Sequence, residues 1–204
     1  MGRDYTVMIA GVLLLACFAT AQASDPELTT DFAVPVGINA TTLDGSFFTN
    51  MGLRNVSAKV GNFATVTPIN QGNFPALVGL GTSSALLQFP MGATNPPHTH
   101  PRGTELLYVI DGALLVGLVD TTDKLFTQTL LAGDLFVFPK GLVHFQINYG
   151  SVPVTAYAGF SSSNPGLVRL PNALFKSGIP DTVLATGFGV STMVIDDLIN
   201  ATVS

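Results

Sequence analysis

Between about residues 64 and 160 the chain is a succession of short apolar runs broken by turn residues, with no helical stretch between them. The clearest runs cover residues 85–89, 106–110, 113–119, 125–131, 135–138, 144–148 and 154–160. They are rich in Val, Leu, Phe and Tyr and bounded by Gly, Pro, Asp and Asn, the composition of strands. Strands at regular spacing without intervening helices predict an all-β sandwich or barrel. Asp111-Gly112, lying between two such runs, carries a hairpin signal. Residues 24–50 read as loop, with Pro26, Pro35, Gly37 and Asp44-Gly45 as turn residues. After the loop at residues 161–166, short helices are expected at 171–175 and 180–186. A third is expected after a Ser191 cap, with Val194, Ile195, Leu198 and Ile199 on one face. This helical arm, about residues 167–204, has no domain of its own and is expected to pack on a neighbouring subunit.

The 204 residues fit a single domain over 24–204, preceded by a secretory signal at 1–23. Arg3 supplies the positive charge, residues 7–18 the apolar stretch, and Ala21-Gln22-Ala23 the small-residue cleavage site. The apolar run is short for a membrane span. Once the signal is removed no membrane association is expected. The sole cysteine, Cys17, falls inside the signal, so the mature chain has neither thiol nor disulfide. Asn39, Asn55 and Asn200 begin Asn-x-Ser/Thr sequons that a eukaryotic secretory pathway glycosylates. A net charge of −5 with only 8 Lys and Arg, none clustered, argues against nucleic acid as partner. With 10% charged and 47% hydrophobic residues, a monomer would expose large apolar patches, so a homo-oligomer is expected.

All 3 histidines fall in two segments, His98 and His100 in one and His144 in the other, with Glu105 close behind the first pair. Imidazole nitrogen with carboxylate oxygen suits a first-row divalent ion, and no sulfur ligand is on offer. Residues two apart on a strand face the same side, so His98 and His100 can point inward together. Glu105 lies an odd number of residues from both, and reaches that face only if residues 101–104 turn or bulge. His144 enters from a separate strand after the Pro139-Lys140-Gly141 turn.

Gly92, His98, His100, Glu105 and Gly112 fit the pattern G(X)5HXH(X)4E(X)6G, and Gly133, Pro139, Gly141, His144 and Asn148 fit G(X)5PXG(X)2H(X)3N. These segments resemble the two cupin motifs in the form found in germins and germin-like proteins. The resemblance extends to Asn95-Pro96-Pro97, His144-Phe145-Gln146 and Ser163-Asn164-Pro165-Gly166. It implies a cupin β-barrel, or jelly roll, with short C-terminal α-helices. It also implies a hexamer built as a trimer of dimers, an extracellular location in the apoplast or cell wall, and manganese (Mn2+) held by His98, His100, Glu105 and His144. Such a site carries a net charge of about +1 and attracts small anions such as superoxide and oxalate.

Two departures from the family matter. The paired N-terminal cysteines of germins are missing, so the segment from Asp31 to Val56 is expected to be looser or held by packing alone. Oxalate-oxidising germins place one asparagine just before the first histidine and another ten residues earlier. Asn95 matches the first; Ala85 stands at the second and offers oxalate no hydrogen bond. The resemblance therefore implies superoxide dismutation ahead of oxalate oxidation, with Asn95 and Gln146 as hydrogen-bonding residues beside the metal. A non-catalytic wall, storage or receptor cupin is the alternative of a different class.

Overall fold

The computed structural model describes residues 25–203. The signal segment, with Cys17 and the cleavage point after Ala23, lies outside the described residues. Among the described residues, ten strands form two antiparallel five-stranded sheets. They are β1 (Thr65–Ile69), β2 (Ser83–Phe89), β3 (Thr94–Thr99), β4 (Glu105–Asp111), β5 (Ala113–Val119), β6 (Leu125–Leu131), β7 (Leu135–Phe138), β8 (Val143–Ile147), β9 (Val154–Phe160) and β10 (Val168–Arg169). One sheet has the order β1-β2-β9-β4-β7 and the other β10-β3-β8-β5-β6. Three helices follow: α1 (Leu170–Phe175), α2 (Asp181–Phe188) and α3 (Thr192–Val203). The observed fold is an all-β jelly roll with short C-terminal helices, as the resemblance implies. Among the described residues no single helix is long and apolar enough to cross a membrane.

The sandwich closes because successive strands alternate between buried and outward residues. Along β2 and β9 every second side chain is buried, as the period of two requires. The inward set, including Leu87, Phe89, Leu107, Leu114, Val116, Phe138 and Val154, makes one core between the sheets. Each large apolar side chain buried there contributes roughly 1.5–3 kcal/mol.

Asp111-Gly112 does not make a hairpin. β4 and β5 belong to different sheets, so these residues form the corner that carries the chain across the sandwich. Gly112 has φ +86, and an added Cβ would lie 2.8 Å from Val154 Cγ2 and 3.0 Å from the Pro153 carbonyl. Turn chemistry is the same for a hairpin and a corner, and the sheet assignment of the flanking strands decides between them. The β5 and β6 strands do form a hairpin, paired from Ala113↔Leu131 to Val119↔Leu125.

The N-terminal segment is anchored without a disulfide. Asp25 accepts hydrogen bonds from the Ser162 hydroxyl at 2.7 Å and the Ser163 N–H at 2.6 Å. Phe48 packs edge-on against Phe32 and Phe47, each with ring centroids 5.0 Å apart. At the other end the helices share a small core of their own, where Leu184, Ala185 and Ile195 are buried with Phe175 and Ile199 beside them. The apolar face expected on α3 is therefore split. Ile195 and Ile199 turn toward α1 and α2, while Val194 and Leu198 stay exposed.

Candidate metal centre

Both sheets build the site. His98 lies on β3 and His144 on β8, opposite each other in register. His100 follows directly after β3, and the chain then bends at Pro101 and Arg102 and crosses to the other sheet. That crossing, rather than a bulge within one strand, brings Glu105 at the start of β4 to the same interior space. Three strands from two sheets thus converge where two strands were expected to clamp. The four side chains are buried, and each offers one ligand atom within 4.8 Å of all the others.

Each imidazole is held by its Nδ1. His98 Nδ1 donates to the Pro96 carbonyl at 2.8 Å, His144 Nδ1 to the Leu142 carbonyl at 2.9 Å, and His100 Nδ1 to the Gly166 carbonyl. Carbonyls only accept, so these bonds place the proton on Nδ1 and leave Nε2 as a lone pair, the form in which histidine binds metals. His100 Nε2 lies 3.1 Å and His144 Nε2 3.2 Å from Glu105 Oε2. Lone pairs facing a carboxylate at that distance repel unless a proton or cation lies between them. Glu105 Oε1 is buried with no hydrogen-bond partner, a costly state for a carboxylate that a cation would relieve. The residues present therefore fit a divalent ion with three nitrogen donors and one oxygen donor.

Burial, reinforced by the neighbouring His144, drives the His98 imidazole from 6.5 down to about 3. Burial alone would push the Glu105 carboxyl up, and only a donor or positive charge facing its Oε2 from the His100 and His144 side, the place a metal cation would take, holds it at about 2. Both shifts favour the protonation states a metal requires, a neutral imidazole and an ionised carboxylate. Aromatic rings fix the imidazoles further. Phe138 stacks on His144 at 4.4 Å and Phe160 meets His100 edge-on at 4.8 Å.

Asn95 and Gln146 form a cross-strand pair on β3 and β8. The Asn95 Nδ2 donates to Gln146 Oε1 at 2.8 Å and lies 3.5 Å from His98 Nε2. Gln146 is fully buried and its Nε2 has no partner. The remaining motif asparagine is architectural. Asn148 Nδ2 donates to the carbonyls of Phe89, Pro90 and Val152, and its Oδ1 accepts from Gly150 N–H. The sequons Asn39, Asn55 and Asn200 are all exposed, Asn200 within α3.

A cavity of about 250 Å³ opens onto the cluster, lined by His98, His100, Glu105, Asn95 and Ala85 among others. Two of its features were not legible in the sequence. The Gly166 carbonyl anchors His100, and Arg169 lines the cavity. The two-residue strand β10 that carries Arg169 is too short to leave a periodic signal.

Residues 54–196 match the cupin family profile. Germin-like protein 9-1 of Oryza sativa subsp. japonica is 46% identical over 203 residues, covering 97% of this chain and 81% of the relative. Germin-like protein 9-3 of the same plant is 44% identical over 205 residues, covering 97% of this chain and 95% of the relative. The chain is a germin-like protein of the cupin family. Among solved structures, an oxalate oxidase superposes on this germin-like chain with a TM-score of 0.81 at 34% identity. That match covers 88% of this chain and 98% of the oxidase.

Proposed function

We propose that this chain is a secreted, manganese-dependent superoxide dismutase that releases hydrogen peroxide outside the cell. The observation that carries the reading is the convergence of three Nδ1-anchored imidazoles on the buried Glu105 carboxylate, beside a cavity open to small solutes. Manganese suits a nitrogen- and oxygen-donor set, and is the metal the family resemblance implies. When bound, it supplies a one-electron couple, so that two superoxide ions and two protons become dioxygen and hydrogen peroxide. The protein's own residues do the rest. His98, His100, Glu105 and His144 hold the ion and leave the site at a net charge of about +1, which draws superoxide in. Gln146 lies two residues from His144 on β8 and so faces the same side. Its buried Nε2–H, which has no partner, is the donor this reading assigns to an oxygen species at the metal, and Asn95 holds the amide through Oε1. Superoxide turnover by the secreted protein is expected to vanish with metal removal and return with manganese but not zinc, which has no redox cycle. Stoichiometric manganese without turnover would instead favour a wall, storage or receptor role.

Oxalate oxidation is the second reading, favoured by the likeness to the solved oxalate oxidases. Against it, Ala85 is buried in the wall of the cavity that also holds Asn95 and offers no hydrogen bond. Ala85→Asn is expected to raise oxalate turnover about tenfold, the worth of one hydrogen bond to a charged group. Unchanged turnover in a metal-replete variant would remove that account of specificity.

The proposed assembly is a homohexamer, a trimer of dimers. It is supported by the outer face of β4, β7 and β9, where Leu106, Tyr108, Leu135, Val137 and Tyr157 are each at least 40% exposed. These are direct cross-strand neighbours, Leu106 opposite Val137 and Tyr108 opposite both Leu135 and Tyr157. Such a continuous apolar patch marks an association surface. Leu106→Glu combined with Val137→Glu is expected to yield smaller species by light scattering with metal content retained. An unchanged mass would place the subunit contact elsewhere.

A further inference from the structure

We propose that Asp25 is a positioning residue for His100, acting through the loop at residues 161–166 that joins β9 to β10. What that orientation serves rests on the metal reading above; the orientation itself is measurable without metal.

The three imidazoles are not anchored alike. His98 and His144 take their Nδ1 partners from carbonyls two residues away in their own segments, Pro96 and Leu142. His100 instead donates to the Gly166 carbonyl, 66 residues further along the chain. Two of the ring orientations are therefore set locally, and the third depends on a loop. Asn164, Pro165 and Gly166 of that loop also wall the cavity.

The loop is held by two charged side chains. Asp25, 137 residues from Ser162 in sequence, spends both carboxylate oxygens on it. Its Oδ1 accepts from the Ser162 hydroxyl at 2.7 Å, and its Oδ2 from the Ser163 N–H at 2.6 Å. With its proton committed to Asp25, the Ser162 oxygen accepts the Asn164 N–H at 3.1 Å. Both serines are buried, and hydrogen bonds to an ionised group are roughly twice as strong as neutral ones. Arg102 grips the same residue from elsewhere, its Nε donating to the Asn164 carbonyl at 2.7 Å and an Nη to Asn164 Oδ1 at 2.9 Å. Its N–H also donates to the Pro165 carbonyl at 3.0 Å. Gly166 has no room beside this clamp: at φ +72, an added Cβ would lie 2.9 Å from Arg102 Nη2 and 3.0 Å from Pro101 Cγ. The Gly166 carbonyl is thus fixed by what holds Asn164 and Pro165. Ser83 and Gln71 bind the carbonyls of Ser162 and Ser163, so removing the Asp25 carboxylate frees residues 164–166 without detaching the loop. Asp25 belongs to neither sheet nor the apolar core, and its replacement spares the fold.

The test is nitrogen NMR of the metal-free secreted protein labelled at histidine, whose 3 histidines serve as one another's controls. Asp25→Asn puts an amide N–H against the Ser163 N–H, and is expected to shift and weaken the His100 Nδ1–H signal while His98 and His144 stay unchanged. Ser162→Ala, which removes the hydroxyl between Asp25 and Asn164, is expected to give the same selective change. Phe48→Ala disturbs the aromatic cluster of the same N-terminal segment and is expected to leave all three signals in place. Manganese affinity, read by chelator competition, is expected to fall about tenfold in Asp25→Asn, the lower end for groups that orient metal ligands. A His100 signal indifferent to Asp25→Asn would overturn the proposal, as would equal shifts of all three imidazoles or an equal shift in Phe48→Ala. A shifted signal with manganese affinity unchanged would overturn its bearing on the metal. Wild-type protein that binds no manganese would remove the metal reading, while the imidazole signals still decide the role of Asp25.

Discussion

Glu105→Gln is expected to lower metal affinity by about 100-fold or more, and to remove superoxide turnover with it. Even residues that merely orient metal ligands are worth about 10–100-fold, and Glu105 is the only anionic donor of the cluster. The substitution changes little in volume but replaces an oxygen anion with an amide. Depending on its rotamer, that amide presents either a weak neutral oxygen or an N–H donor to the ion. The site would also lose the charge that brings a divalent ion down to a net charge of about +1. Fold should be retained, because Glu105 touches the other sheet chiefly through His100 and His144 rather than through the apolar core. Elemental analysis with circular dichroism on the same sample separates loss of ligand from loss of fold. Normal metal content and activity in this variant would show that the cluster is not the metal site.

The second large effect is acid destabilisation of the metal-free protein. His98 titrates near 3 in the folded chain against an ordinary 6.5. Between those values the unfolded chain binds a proton that the folded chain refuses, so stability rises with pH across the window and is lost as pH falls through it. The loss approaches on the order of 4 kcal/mol by the low end of the window. Glu105 acts in the same direction over a lower range, from 4.5 down to about 2. Urea unfolding between pH 7.5 and 4 is expected to show a falling midpoint. His98→Gln, which has nothing to protonate, should flatten the dependence between pH 6.5 and 4.5. Added manganese should protect most at the neutral end, since protons compete for the same lone pairs. A midpoint independent of pH in the metal-free protein would contradict the burial of a neutral His98.

Much of this arrangement was legible in the sequence. The strands at residues 113–119, 125–131, 135–138 and 154–160 coincide with β5, β6, β7 and β9, because each is an apolar run bounded by turn residues. The histidines were legible because their motif spacing maps onto strand periodicity. What stayed hidden depends on long-range pairing. β1 contains Pro68, which argues against a strand by propensity; it is tolerated because β1 is the edge of its sheet. β3 contains Pro96 and Pro97, and its ladder with β8 shifts register between Asn95 and His98. The reach of Glu105 depended on which sheet the chain enters after Pro101, a choice that local residues leave open. The hairpin expected at Asp111-Gly112 failed for the same reason. Arg169 was invisible because its position on the cavity follows from a two-residue pairing with His98.

Elemental analysis of the secreted, chelator-washed protein tests the central claim most directly, that the buried His98, His100, Glu105 and His144 hold a redox-active metal. About one manganese per chain, lost in Glu105→Gln, is the predicted result for a closed four-ligand site. Substoichiometric metal that washes away, or zinc bound equally well by wild type and Glu105→Gln, would contradict it.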